Sequence, residues 1–424
     1  MYKHSKLFLA LAFALVLCVS CVTTAFAAGD PVIAKDQDHP VQVAITKILQ
    51  MPKGTNTPSA DFVFNIEAKT ADAPAIGPKT ISFGPSNNGT TPPPPSDVKS
   101  VPLESKNIFN GITFPHAGTY VYEITEDKGA SYQSSDPNHE QLTYSPAKYI
   151  LTVYVKNKTA PATGTYIYAI GDVIEEVDNS SQNKGDKVDP TPGGDPSIVG
   201  DYSKMIFTNT YVKTNGPEIP TEPKPDKPDD ATLSVSKTVS GEFANMEAYF
   251  DFTMKVIAPS LIKDPPVYKA YVVENGQFLD KDELLAGNGI TAADKDKNDH
   301  YYGIFTPGYD VTFKLKHGQK LIFVDTPVGT SYTVTETAAE GYETKYVITT
   351  NSEEKGYIGL STGLRWVGEK LNSADYKNDR SDVTPTGLNL NDLPFLGMIF
   401  LAFGAVAAFA VAKARKMRKM ARSN

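Results

Sequence analysis

Three residue types recur in the same order at two places in this 424-residue chain: a lysine, then a glutamate, then an asparagine. In the first set Val41, Val43, Ile45 and Lys47 occupy alternate positions, as do Tyr120, Tyr122, Ile124 and Glu126, and Phe207 stands two residues before Asn209. In the second set Leu233, Val235 and Lys237 are followed by Tyr332, Val334 and Glu336, then by Tyr376 and Asn378. Alternate residues of a strand share a face, so each polar group is expected at the end of an apolar, inward-facing row. Burial disfavours the charged form of either group, so the lysine pKa falls and the glutamic acid pKa rises. A neutral amine is a nucleophile, and a protonated carboxyl polarises an amide carbonyl by hydrogen bonding. Held together, these groups let the lysine attack the asparagine carboxamide while the glutamate moves the proton and ammonia leaves. The products are isopeptide bonds, Lys47–Asn209 and Lys237–Asn378, with Glu126 and Glu336 as the catalytic acids. Ordering the partners can by itself remove roughly 7–11 kcal/mol of barrier. Each site reacts once, so this is maturation and not enzymatic turnover.

A single strand lysine, glutamate or asparagine is ordinarily a solvated surface residue, and Glu123, on the face opposite Glu126, is read that way. The chemical reading rests on the triplet being ordered, repeated and set on apolar rows.

The elements that must position these groups are strands. Phe62, Phe64 and Ile66 alternate, as do Phe250 and Phe252, and Gly- and Pro-rich turns separate the short runs. Such spacing predicts an all-β chain of two tandem Ig-like β-sandwich domains, over 38–213 and 231–380. The intervening 214–230 is rich in Pro and charge and reads as a semi-rigid spacer. Residues 84–96 and 179–197 read as long surface loops of the first domain, and Asp294–Asp299 as a polar insert in the second.

The ends carry their own signals. Lys3 and Lys6, the apolar run Leu7–Val19 and Ala25-Phe26-Ala27 form an N-terminal signal peptide over 1–27. Near the other end, the apolar stretch Leu393–Val411 is long enough for a transmembrane helix, placed over 393–412. Lys413, Arg415, Lys416, Arg418, Lys419 and Arg422 make 413–424 a basic cytoplasmic tail, which puts the body of the chain outside. Between them, 381–392 holds Thr384, Pro385, Thr386 and Gly387. Motif, apolar span and basic tail in this order resemble a sortase sorting signal of the LPXTG type. That resemblance implies cleavage between Thr386 and Gly387 and transfer of the threonine acyl group to an amine. Thr384 departs from the usual leucine. Leu393-Pro394 has the leucine but not the threonine, and lies inside the apolar span.

Cys18 and Cys21 both fall in the segment expected to be removed, so no disulfide framework is available to an exported chain. The net charge of −8 includes the basic tail. The body is therefore acidic, which excludes nucleic acid as a partner. The six histidines, at 4, 39, 116, 139, 300 and 317, show no metal or triad spacing, and there is no phosphate-binding glycine loop. Asp294, Asp296 and Asn298 hint at a calcium loop, but Asp299 and Phe305 stand where glycine and glutamate are needed. No cofactor, no metal and no hydrolase chemistry is expected.

Ile45-Thr46-Lys47-Ile48-Leu49, Met51-Pro52, Phe62-Val63-Phe64, Gly118 to Glu126 and Phe207-Thr208-Asn209-Thr210-Tyr211 together resemble the streptococcal pilin isopeptide-linkage domain, over about 38–212. Leu233 to Gly241 and Pro327 to Glu336 are similar to related CnaB-type surface-protein modules, although Tyr376-Lys377-Asn378 replaces the usual Phe-Thr-Asn. The resemblance implies Ig-like folds, Lys–Asn bonds made with a catalytic glutamate, and pili or wall-anchored adhesins of Gram-positive cell surfaces. Its partners would be sortase and other pilin subunits or peptidoglycan, with the membrane holding the C-terminal helix before sorting. A shaft subunit needs an acceptor lysine. Lys204, just before the last strand of the first domain, and Lys156, in Tyr154-Val155-Lys156-Asn157, are the candidates. The alternative is a monomeric wall-anchored adhesin.

Overall fold

The computed structural model describes residues 31–91, 96–193 apart from 138 and 179–182, 204–214, 231–381 apart from 266, 291–292, 297 and 325, and scattered positions from 398 to 413. The expected signal peptide, the spacer 215–230 and the sorting motif Thr384–Gly387 lie outside the described residues. So does most of the expected transmembrane span, of which only scattered helical, exposed positions such as Leu401 and Phe409 are described. Among the described residues no helix is long and apolar enough to cross a membrane.

The chain is nearly all-β. Between 31 and 381 the described helical residues are confined to 281–287. The first unit has two sheets. The larger runs in the order Val32–Ile33, Thr165–Glu176, Lys148–Asn157, Gly118–Glu126, Ala60–Ala68 and Lys79–Phe83, with Lys187–Val188 also on Thr165–Glu176. The smaller is ordered Val98–Glu104, Thr46–Pro52, Ile206–Lys213 and Glu140–Thr143. One apolar cluster, from Val41 to Tyr211, fills the unit and includes Phe62, Phe64, Tyr122, Tyr149 and Phe207.

The second unit repeats the plan with the sheets' sizes exchanged around the site. Leu233–Ser240 and Ser373–Asp379 sit in the middle of its large sheet. Ser331–Glu336 and Phe250–Ile257 lie in the four-stranded one. Its main core runs from Leu233 to Tyr376.

One feature of topology is common to both units: the first long strand and the last are neighbours and run parallel. Lys47 is paired with Phe207 in one and Lys237 with Tyr376 in the other. In both, the glutamate closes a strand whose last pairing is to the second phenylalanine of a Phe-x-Phe run, Glu126 to Phe64 and Glu336 to Phe252. Tyr149 pins the start of the last strand, its hydroxyl donating to Ile206 O at 2.8 Å and accepting from Ile206 N–H at 3.0 Å.

Two local expectations change. The apolar row Val41, Val43, Ile45 is buried, but the strand begins only at Thr46, so Lys47 stands near the strand's start. The reason is its hydrogen bonding: Val43 N–H donates to the Asn107 side chain, Ile45 N–H to Ser105 Oγ and Ala44 N–H to Pro190 O. Irregular acceptors satisfy this backbone without a ladder, and Ala44 is buried along with Val43 and Ile45, so burial does not alternate here. In the polar insert, Ala293–Lys295 is a strand paired with Tyr301–Phe305, and only the turn after it is loop.

The units meet where the first unit's last strand ends. Val328 N–H donates to Lys213 O at 2.9 Å, and Glu369 accepts from the backbone and side chain of Asn56 at 2.8 Å each.

Asp172 is 1 % exposed in the first core, with both carboxyl oxygens lacking a hydrogen-bond partner among the described residues. Burial holds its pKa well above the ordinary carboxylate range. The folded state therefore keeps a proton that the unfolded chain releases, and stability falls as pH rises from the ordinary carboxylate range towards the raised pKa. Asp172→Asn is expected to flatten that decline, so that urea midpoints of variant and parent diverge increasingly from mildly acidic to neutral pH. Parallel curves would show that Asp172 carries no such penalty.

Candidate functional site

Each unit assembles an amine, a carboxyl and a carboxamide in its core. In the first, the Lys47 and Glu126 side chains are fully buried and Lys47 Nζ donates to Glu126 Oε2 at 2.9 Å. Asn209 Nδ2 donates to the other oxygen, Oε1, at 2.7 Å. One carboxyl group thus bridges the amine and the carboxamide. Strand register explains the encounter. Lys47 is opposite Phe207, so Asn209 lies two residues on, diagonally across the parallel pair and on the same face, while Glu126 reaches in from the facing sheet.

In the second unit Lys237 Nζ donates to Glu336 Oε1 at 2.7 Å and Asn378 Nδ2 donates to the same oxygen at 2.5 Å. Lys237, Glu336 and Asn378 are all buried. The six residues expected to react are brought together as two triads.

Around each amine stand the rings of the Phe-x-Phe run. Lys47 Nζ lies 4.8 Å from the Phe62 ring centroid and 5.9 Å from that of Phe64; Lys237 Nζ lies 4.2 Å and 5.7 Å from Phe250 and Phe252. These rings exclude water and leave the carboxyl as the main counter-charge. Burial pushes both lysines down to about 8, against the pull of Glu126 and Glu336. Burial likewise raises Glu336, against Lys237. Cost of burial thus disfavours the charged amine in both units and the charged carboxyl of Glu336.

Sequence reasoning did not find Ser145 and Asp178. Ser145 donates its backbone N–H to Asn209 Oδ1 at 2.6 Å. Asp178 accepts from Ser145 Oγ and, at 2.8 Å, from Thr208 N–H; burial raises its pKa. A backbone donor leaves no residue-type signature, and Asp178 sits in an ordinary acidic run after its strand.

Of the candidate acceptors, Lys204 is half-buried and donates to Thr191 O at 2.7 Å. Lys156 is exposed, its Nζ 3.2 Å from the centroid of the Tyr168 ring. Glu123, on the outer face, pairs with Lys69 at 3.3 Å. Among the described residues no group of three or more His, Cys, Asp or Glu is placed to hold a metal. Asp296 instead caps its own turn, accepting from the N–H groups of Asn298 and His300.

Residues 43–212 match the family described as the Spy0128-like isopeptide containing domain, so the chain carries a pilin-type isopeptide-containing domain. Residues 231–363 match a domain of unknown function, DUF7601. No curated protein sequence matches the chain. Among solved structures, the chain is similar to the major pilin of Streptococcus pyogenes at 18% identity and TM-score 0.32, covering 81% of this chain and 100% of that one. A second major pilin of the same organism, T3.2, aligns at 19% identity and TM-score 0.30, over 81% of this chain and 100% of its own. The pilus-presented adhesin Cpa aligns at 11% and TM-score 0.25, over 80% and 100%.

The pH dependence of condensation follows from the shared proton. Lysine with glutamic acid and lysinium with glutamate hold the same number of protons, so their balance does not change with pH. Above about 8 the pair loses that proton, and no acid remains to hand a proton to the leaving carboxamide nitrogen beside it. The chain recovered unfolded in urea and diluted into buffers of increasing pH is expected to cross-link at a level rate up to about pH 8. Beyond that, the rate should fall about tenfold per pH unit. Mass spectrometry of acid-quenched samples measures this; a rate that keeps climbing through the alkaline range would refute it.

Proposed function

We propose that this chain is a pilus subunit of a Gram-positive cell surface, stapled internally by Lys47–Asn209 and Lys237–Asn378 isopeptide bonds. The observation that carries the reading is the repeated buried triad joining the first and last strands of each unit. Both units are read as Ig-like sandwiches, over 38–213 and 231–380. Glu126 and Glu336 act once each, as proton carriers, and no turnover follows.

The remaining parts serve assembly. The segment 1–27 directs export, 393–412 holds the chain in the membrane with 413–424 inside, and sortase cuts between Thr386 and Gly387. The Thr386 acyl group then passes to an amine of another subunit or of peptidoglycan. Lys204 is the favoured acceptor. It precedes the strand Ile206–Lys213 at the end away from Lys213, which meets the second unit through Val328. The last described residue of the body, Ser381, follows Asp379 and Arg380 at the second unit's opposite end, beside Gly241 and Phe243. Lys204 and Ser381, five residues before the proposed donor Thr386, thus lie at opposite ends of the two-unit body, which suits head-to-tail linkage.

The intact mass of the mature chain is expected to fall short of the sequence value by one ammonia per unit. Glu126→Ala should restore the first ammonia only, and Glu336→Ala the second only. A full unmodified mass for the parent chain would sink the cross-link. Detergent extracts of wall fractions should show a ladder of covalent multimers that Lys204→Ala collapses. A single band in the parent strain would instead leave a monomeric wall-anchored adhesin.

A further inference from the structure

The two sites match in amine, acid and carboxamide but differ at the carboxamide oxygen. Asn209 Oδ1 accepts the buried N–H of Ser145 at 2.6 Å. Asn378 Oδ1 is buried and has no hydrogen-bond partner among the described residues, and the same is true of Glu336 Oε2. The difference is built into the first unit. Ser145 precedes Pro146 in the turn between Glu140–Thr143 and Lys148–Asn157, and a following proline narrows its backbone to extended conformations. Its hydroxyl bonds Asp178 and accepts from Ala147 N–H at 3.1 Å. Asp178 in turn holds the N–H of Thr208, the residue before Asn209. The turn carrying the donor is thereby tied to the strand carrying the amide.

Oxygen is where charge develops. When Lys47 Nζ bonds to Asn209 Cγ, the carbonyl electron pair moves onto Oδ1. It returns as the bond to Nδ2 breaks, and Nδ2 departs as ammonia with the proton that Glu126 takes from Nζ. Glu126 is hydrogen-bonded to both nitrogens, so proton, amine and leaving group balance with no other reactant. A preorganised donor on the developing oxyanion accelerates such a step, and removing one costs on the order of 10²–10³ in rate.

We propose that the Ser145 N–H is an oxyanion donor for Lys47–Asn209 bond formation, that Asp178 is the positioning residue for it, and that the second unit, without such a donor, closes its bond later. The inference rests on the cross-linking reading above. It assigns an order to the two staples: the first unit locks before the second.

The full chain, recovered unfolded and unreacted in urea, is diluted into folding buffer, quenched in acid at intervals and digested. Mass spectrometry then follows the Lys47–Asn209 and Lys237–Asn378 peptides separately. The first is expected to accumulate at least about tenfold faster. Ser145→Pro, which deletes the N–H, should slow the first by about a hundredfold and leave the second as an internal reference. Ser145→Ala, which keeps the N–H, should slow it far less. Asp178→Ala separates positioning from charge. The Asp178 carboxylate favours charged Lys47, so loss of charge alone would speed attack, whereas loss of positioning slows it. Asp178→Asn, which retains an acceptor, should recover part of the rate. Should Ser145→Pro not fold, as judged by near-ultraviolet circular dichroism, the sign of the Asp178→Ala effect decides. Equal rates at the two parent sites, or an Asp178→Ala chain that reacts as fast as the parent or faster, would overturn this inference while leaving the cross-links standing. Absence of both peptides from the folded parent would overturn the cross-linking reading itself, and this inference with it.

Discussion

A lysine amine placed among phenylalanine rings is expensive to keep charged, and a glutamate beside it is little better. Each unit of this chain buries such a pair and gives the carboxyl a third partner, the carboxamide of an asparagine. The desolvation that makes the pair costly as ions also favours its neutral tautomer, amine plus acid, which on the proposed reading is the reactive one. Condensation as proposed would remove the amine for good, and an arrangement that is a weak source of stability as a salt bridge would become a covalent staple. Everything else in the site serves to keep water out and to hold the three groups in register.

Register comes from topology. Parallel pairing of the first and last strands puts a residue on one diagonally across from the residue two positions on in the other, so lysine and asparagine meet without distortion. The offset is the same in both units, Lys47 opposite Phe207 and Lys237 opposite Tyr376, although the strand pair lies in the small sheet of one and the large sheet of the other. The closed loop spans nearly a whole domain. By analogy with disulfides, such a cross-link stabilises by about 5 kcal/mol in the chain-entropy model.

Much of this was legible in the sequence because burial and side-chain direction are local properties of a strand. A period of two placed Lys47, Glu126 and Asn209 on inward faces, and the repeat of the triplet tied them to one another. The alternation misjudged where the first strand begins, since Val43, Ala44 and Ile45 are buried while their N–H groups bond to Asn107, Pro190 and Ser105 instead of a neighbouring strand. Which strands pair, and in which direction, is a long-range matter that no window of sequence contains. The Ser145 contribution is invisible for a different reason: a backbone N–H is common to every residue but proline, and only the fold selects the one that points at Asn209.

On the proposed reading, the positions of the two staples give them different mechanical duties. In the second unit, tension entering at Leu233 reaches Lys237 within a few residues, crosses to Asn378 and leaves near Ser381. The chain between, with both sheets and the core, is bypassed. In the first unit, a load arriving at Lys204 runs along Ile206–Lys213 itself and leaves at Thr214 towards the spacer. Its staple lies beside that path and fastens the body of the unit, through Lys47, to the one strand that bears the load. Pulling on a fibre built as proposed would therefore stretch a covalent bond in the second unit. In the first it would stretch a strand held on both sides, by Thr46–Pro52 and Glu140–Thr143. With the proposed bond at Asn209 in place the early strands would not peel away from that strand, and neither unit of a fibre so built would lengthen by unfolding under tension.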